Sequence, residues 1–297
     1  MTRALIDMHH HVIGRNHKQH GVNVPEWSME IDAAAMKRLG ITGALLSLPV
    51  ASTPEQTRAI NDVIAGFAAY DPKRYGMLAC LPSASVDAAL KEIDYACGTL
   101  KADGFIMPTN AGGIYVGDDR MDGILAELDR RSAVVLLHPT KPSMEMPQLL
   151  VGDMSVYEFP HETTRAMMDL IYRGKLGQYP RIRWILSHAG GTIPYIAYRL
   201  STVAEEVKAS DLSCDEVLAA LRTLYYDVAL STDPGVFTML KGLVGADHMM
   251  FGTDYPLRTE APTAMGIKEL VSYPGFSENE LKAVMSETAR ALFPRFR

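Results

Sequence analysis

Ala4-Leu5-Ile6-Asp7-Met8-His9-His10-His11 is the segment that decides how this chain reads. It opens as a short apolar run at 4–8, of strand length, and passes directly into three histidines. Seven more short apolar runs follow: ALLSLPV at 44–50, YGMLACLP at 75–82, GFIMPT at 104–109, AVVLLHP at 133–139, IRWILSH at 182–188, LYYDVAL at 224–230 and HMMFGTD at 248–254. They show little polar alternation, as expected of strands buried on both faces. Stretches with helical spacing separate them, at 31–39, 54–70, 86–100, 121–131, 162–173, 193–208 and 234–243. Thr53-Pro54-Glu55 reads as a helix start, and Gly40 and Gly174 read as helix stops.

Strands that alternate with helices imply parallel βαβ units. Eight of them favour a closed (β/α)8 TIM barrel of the α/β class over an open sheet. The expectation is one domain spanning 1–297, with C-terminal helices in 277–293 begun by Ser277, Glu278 and Glu280. The stretch 140–159 is long for a loop between strand and helix and is expected to act as a lid.

Composition narrows the function. The 297 residues carry a formal net charge of -6, and no long basic run marks a nucleic-acid footprint. No apolar run reaches the length of a membrane span, and the apolar stretch before Asp7 is too short for a signal peptide. Cys80, Cys97 and Cys214 are far apart and form no CxxC pair, which points to reduced cysteines in a cytoplasmic protein. Small-molecule chemistry is the expectation that remains.

The polar residues sharpen it. The first run ends in His9-His10-His11, the fifth in His138, the sixth in His188 and the eighth in Asp254. In a (β/α)8 barrel the C-terminal strand ends form one rim, where catalytic groups gather. Residues two apart in a strand share a face, so His9 and His11 point the same way and His10 points away. Three imidazoles, His9, His11 and His138, with the Asp254 carboxylate suit one divalent ion, Zn2+ first, with Mn2+, Fe2+ and Co2+ open. Such an ion lowers the pKa of water towards about 7, and a neutral His188 beside it is suited to take the proton. Asp254 is expected to serve as both ligand and proton shuttle; Asp7 and His10 read as structural.

With these residues in place the chain resembles the amidohydrolase superfamily, in the amidohydrolase-2 branch that contains aminocarboxymuconate semialdehyde decarboxylase. The resemblance is carried by Ile6-Asp7-Met8-His9-His10-His11, Leu137-His138-Pro139, the stretch from Phe159 to Thr164, Ser187-His188-Ala189-Gly190-Gly191 and Phe251-Gly252-Thr253-Asp254-Tyr255-Pro256. These motifs span nearly the whole chain. The resemblance implies a single divalent metal, usually zinc, held by His9, His11, His138 and Asp254, with His188 as general base. No carboxylated lysine is implied, since the fourth run ends in Met107-Pro108-Thr109. Pro25-Glu26-Trp27-Ser28, with Gly40-Ile41 and Leu45-Leu46-Ser47-Leu48, is locally similar to the 6-methylsalicylate decarboxylase group. Arg199 matches an arginine that the semialdehyde decarboxylase places into its neighbour's site, which implies a homodimer or higher homo-oligomer. Arg258 and Trp27 are further candidates to bind a small carboxylic acid substrate.

The reading that follows is metal-dependent, non-oxidative decarboxylation of an aromatic, salicylate-like or unsaturated carboxylic acid. Its alternatives are hydrolysis of a lactone, ester or amide, hydration of an unsaturated dicarboxylate, and a catalytically idle barrel used for binding.

Overall fold

The computed structural model describes residues 4–13, 26–50, 53–82, 85–143 and 153–297. His17 and His20 of the first loop, and 144–152 of the expected lid, lie outside the described residues.

Eight parallel strands form one sheet in sequence order: Ile6–His11, Gly43–Ser47, Tyr75–Cys80, Gly104–Pro108, Val134–His138, Arg183–Leu186, Tyr225–Asp227 and Met249–Met250. They are the first to eighth barrel strands below, and each falls within or beside one of the eight apolar runs. The chain after the eighth strand closes the ring on the first. The Met8 N–H donates to the Phe251 carbonyl at 3.0 Å, the Asp254 N–H to the His9 carbonyl at 2.8 Å, and the His11 N–H to the Tyr255 carbonyl at 2.7 Å. The fold is therefore the expected α/β barrel. Side chains of Met8, Leu45, Leu46, Met77 and Phe105 are almost wholly buried, as strands covered on both faces require.

The helix signals act as read. Thr53 caps Pro54–Ala68 in a reciprocal capping box with Gln56, and Ser277 does the same for Glu278–Lys282 with Glu280. Gly40 ends Met29–Leu39 in the left-handed conformation. Three features differ from the expectation. The first strand does not stop at Met8 but carries all three histidines inside it. The helix expected from Glu162 begins eight residues earlier, at Met154, with Pro160 inside it. Asp153 starts it by accepting the Ser155 N–H at 2.7 Å, so the far end of the expected lid is helical. Helices Cys214–Thr223 and Glu260–Ser272 were not anticipated, although Ser213-Cys214-Asp215-Glu216 is a capping-box sequence.

The C-terminal segment packs against the opposite end of the barrel. Phe296 lies so close to Gly43, at the start of the second strand, that a Cβ there would sit 3.0 Å from its ring. The C-terminal strand ends are thus left as the working face.

Candidate metal and active site

The rim is built strand by strand. His9 and His11 leave the first strand on its inner face, and His138 ends the fifth. Ser47 ends the second and Asp227 the seventh. His188 lies two residues past the sixth strand and Asp254 four past the eighth. Both of these have positive φ, 54° and 61°. Left-handed backbone at a non-glycine residue costs on the order of 1–3 kcal/mol and persists only where its surroundings enforce it.

Those surroundings are specific. Gly190 and Gly191 continue the left-handed turn after His188, and a Cβ on Gly191 would lie 1.9 Å from the Pro160 carbonyl oxygen. Only glycine lets the turn press against the 154–172 helix. On the other side, Asp7 clamps the first strand to the segment bearing Asp254. It accepts the backbone N–H groups of His9 at 3.0 Å and Thr253 at 3.1 Å, and also the Thr253 hydroxyl. His10 points away as expected, with its two ring nitrogens 2.8 Å from Asp7 and 2.8 Å from Asp32.

The side chains converge. Ring centroids of His9 lie 4.8 Å from His11, 5.0 Å from His138 and 4.8 Å from His188. Asp254 Oδ1 is 3.1 Å from His11 Nε2 and 3.5 Å from His9 Nε2, while Oδ2 is 3.8 Å from His188 Nε2. His9, His138, His188 and Asp254 each offer a ligand atom within 4.8 Å of the others, and His11 adds its Nε2 3.0 Å from that of His9.

The outer partners fix which nitrogen carries the proton. His9 Nδ1 faces the Asp227 carboxylate at 2.9 Å, so it donates. His138 Nδ1 donates to the Pro139 carbonyl at 2.8 Å. The Ser47 hydroxyl donates to the His10 carbonyl at 3.2 Å, so towards His11 Nδ1, at 3.1 Å, it accepts. All three imidazoles then turn a bare Nε2 lone pair inward. Two of those lone pairs face each other at 3.0 Å, and His138 Nε2 and Asp254 Oδ1 are buried with no hydrogen-bond partner. Leaving such groups unpaired is costly, and a cation among them removes the cost. Three nitrogens, each backed by an outer hydrogen bond, and one carboxylate form a donor set that fits a divalent metal.

Electrostatics agree. Burial alone would lower the His9 imidazole, yet Asp227, Asp254 and Asp7 lift it to about 9. Burial alone would raise the Asp254 carboxyl, yet His11, His188 and His9 hold it well below the usual carboxylate range. The site therefore favours positive charge. His138, desolvated and close to His9, His11 and His188, is pushed well below an ordinary imidazole and stays neutral, as a ligand must.

The chain matches the family model described as Amidohydrolase over residues 6–295. It belongs to the amidohydrolase family. Among this amidohydrolase's relatives, a protein named 6-methylsalicylic acid decarboxylase, from Penicillium expansum, is 34% identical over 322 residues, which cover 99% of this chain and 97% of the relative. The crystal structure of 5-carboxyvanillate decarboxylase from Sphingomonas paucimobilis superposes with a TM-score of 0.86 at 17% identity, covering 98% of this chain and 99% of that one. That of a dihydroxybenzoic acid decarboxylase from Polaromonas sp. JS666, described with bound manganese and 2-nitroresorcinol, gives 0.80 at 18% identity, covering 99% and 98%.

The remaining sequence candidates separate. Arg258 reaches the cluster: its Nε is 3.9 Å from Asp254 Oδ2, and its Nη2 donates to Ser155 Oγ at 2.8 Å. Trp27 is not brought to the imidazoles by its described contacts. Its indole N–H donates to Asp32 at 3.1 Å, and its ring packs edge-on against Phe67, so it supports His10 from behind. Arg199 lies on the exposed side of Ile193–Glu206, directly after Tyr198 and one turn on from Tyr195, which are 77% and 79% exposed. Asp227 and Ser47 were missed. Asp227 left a signal, as the one carboxylate in the apolar run LYYDVAL at the level of the rim. Ser47 left none, because a serine in a strand is ordinary.

Proposed function

We propose that this amidohydrolase is a divalent-metal-dependent carboxy-lyase that removes CO2, without oxidation, from an aromatic acid of the salicylate type. The observation that carries the reading is the inward convergence of three Nε2 lone pairs and the Asp254 carboxylate, with His188 and Arg258 at its edge. Relatives named as decarboxylases, at about one-third identity along the full chain, supply the reaction class.

His9, His11, His138 and Asp254 would hold the metal. When bound, it supplies positive charge to receive the substrate carboxylate and an adjacent hydroxyl. Zinc fits a set of three imidazoles and one carboxylate, and metal analysis distinguishes it from manganese. The chain's own groups do the rest. Arg258, held by Ser155, pairs with the substrate carboxylate through its planar fork. His188 and Asp254, 3.8 Å apart, hold and deliver a proton to the ring carbon that bears the carboxylate. The new C–H bond forms, the carbon–carboxylate bond breaks, and CO2 leaves with the ring restored. One proton is consumed per CO2 released.

Trp27 serves this site through Asp32 and His10. Arg199 completes the site of a second copy, so the working form is a homodimer or larger in which each chain, 1–297, is one barrel domain. No helix of the described residues is long and apolar enough to cross a membrane, which fits the proposed cytoplasmic location.

The test is CO2 release from a panel of hydroxybenzoates by metal-loaded protein, with metal content measured on the same sample. About one metal per chain and CO2 from 2-hydroxybenzoates supports the proposal. One metal with no CO2, but with ring opening of lactones, would replace it with hydrolysis.

A further inference from the structure

Asp227 places one fully buried carboxylate under three N–H groups. Its Oδ1 accepts the backbone N–H of His188 at 3.1 Å and that of Ala229 at 2.9 Å, while its Oδ2 lies 2.9 Å from His9 Nδ1. A Cβ on Gly252 would sit 3.2 Å from its carboxyl carbon and 2.8 Å from His9 Cβ, so glycine is what lets these two side chains meet under the eighth strand.

The two backbone groups are donors only and cannot change role. They fix Oδ1 as an acceptor, and the carboxylate then has one oxygen left, which must also accept. We propose that Asp227 is a positioning residue that locks His9 in the Nδ1–H tautomer and so keeps its Nε2 free to bind a metal, while tying that ligand to the turn that carries His188. This rests on the metal-site reading above.

The arrangement makes Asp227→Asn a sharp test, because the substitution changes neither shape nor volume. The asparagine oxygen must face the two backbone N–H groups, which leaves its NH2 opposite His9 Nδ1. Two donors then confront each other at hydrogen-bond distance. His9 relieves this by moving its proton to Nε2, and that nitrogen no longer offers a lone pair to the metal. A merely structural role for Asp227 would lower thermal stability without changing the metal affinity of the folded protein.

The experiment is a Zn2+ titration of metal-free wild type and Asp227→Asn against a chromophoric chelator, with circular dichroism and thermal melts on the same samples. Loss of an outer hydrogen-bond partner weakens metal binding about 10- to 100-fold. The expected result is a loss of at least about tenfold, with a cooperative melt retained. Equal affinity in the two proteins would overturn the proposal. Wild type that binds no Zn2+ would instead overturn the metal reading on which it rests. If the variant does not fold, nitrogen-15 NMR of the zinc-loaded wild type decides. A slowly exchanging His9 Nδ1 proton is expected, and a protonated Nε2 would refute the assignment.

Discussion

At the residue scale, the site is a set of buried polar atoms whose roles are fixed by their outer partners. His188 shares the 4.8 Å grouping with the other imidazoles and Asp254, yet it sits in a strained turn past the strand. As the proton-moving group it predicts that His188→Ala lowers kcat by about 100-fold or more while metal content by plasma emission spectroscopy stays at the wild-type value. Loss of metal together with activity would make it a ligand instead. His10 gives a second prediction. Burial alone would lower its imidazole, but Asp32 and Asp7 lift it to about 10. A folded-state pKa raised above the unfolded value of about 6.5 contributes stability in full below that pH, and the contribution is lost as pH climbs towards about 10. The melting temperature of the metal-free protein should therefore fall between pH 7 and 10. His10→Asn should cost about 3 kcal/mol or more in urea denaturation at pH 7, because it leaves Asp7 and Asp32 as buried charges without their partner.

At the element scale, the left-handed turn after the sixth strand sets the position of His188. Four consecutive residues, His188 to Gly191, have positive φ, and the turn is seated against the Pro160 carbonyl of the 154–172 helix. Thr164 reinforces this contact by accepting the Thr192 N–H at 2.9 Å. Gly191→Ala combines a clash with left-handed strain, so a loss of about 2–4 kcal/mol is expected. Activity should fall further than stability, because the turn must shift to admit the methyl group. A variant that melts like wild type and retains full kcat would show that the contact is slack.

At the scale of the whole molecule, metal binding is linked to folding. A ligand held only by the folded state stabilises it by about 4 kcal/mol at a thousandfold excess over Kd. Chelation should therefore lower the melting temperature, and Zn2+ or Mn2+ should restore it in proportion to its affinity; a melt indifferent to chelator and metal would contradict the site. Assembly is the other whole-molecule question. Tyr195 and Tyr198 expose most of their rings beside Arg199. Arg199→Ala in a homo-oligomer should reduce turnover with each chain's own metal content unchanged. Sedimentation of a monomer at working concentration, with activity intact, would remove Arg199 from the site.

Much of this was legible in the residues. The eight apolar runs named the strands because a strand buried on both faces needs apolar side chains in succession, and that demand is local. The spacing of His9 and His11 placed both on one face because strand geometry has period two. Their convergence with His138 and Asp254 followed from the closure rule of a barrel. What tertiary structure alone decided is how the donors are held. Whether Asp227 and Ser47 stand behind His9 and His11, whether Trp27 faces the mouth or supports His10, and where Asp254 points after a strand of two residues all depend on contacts between segments far apart in the chain. Hydrogen bonds over 218 and 36 residues of separation select the tautomers, and no local pattern encodes partners at that range. The sequence by itself determined which groups could bind a metal; the closed barrel decided which nitrogen of each ring faces it, because only there do the outer acceptors meet the rings.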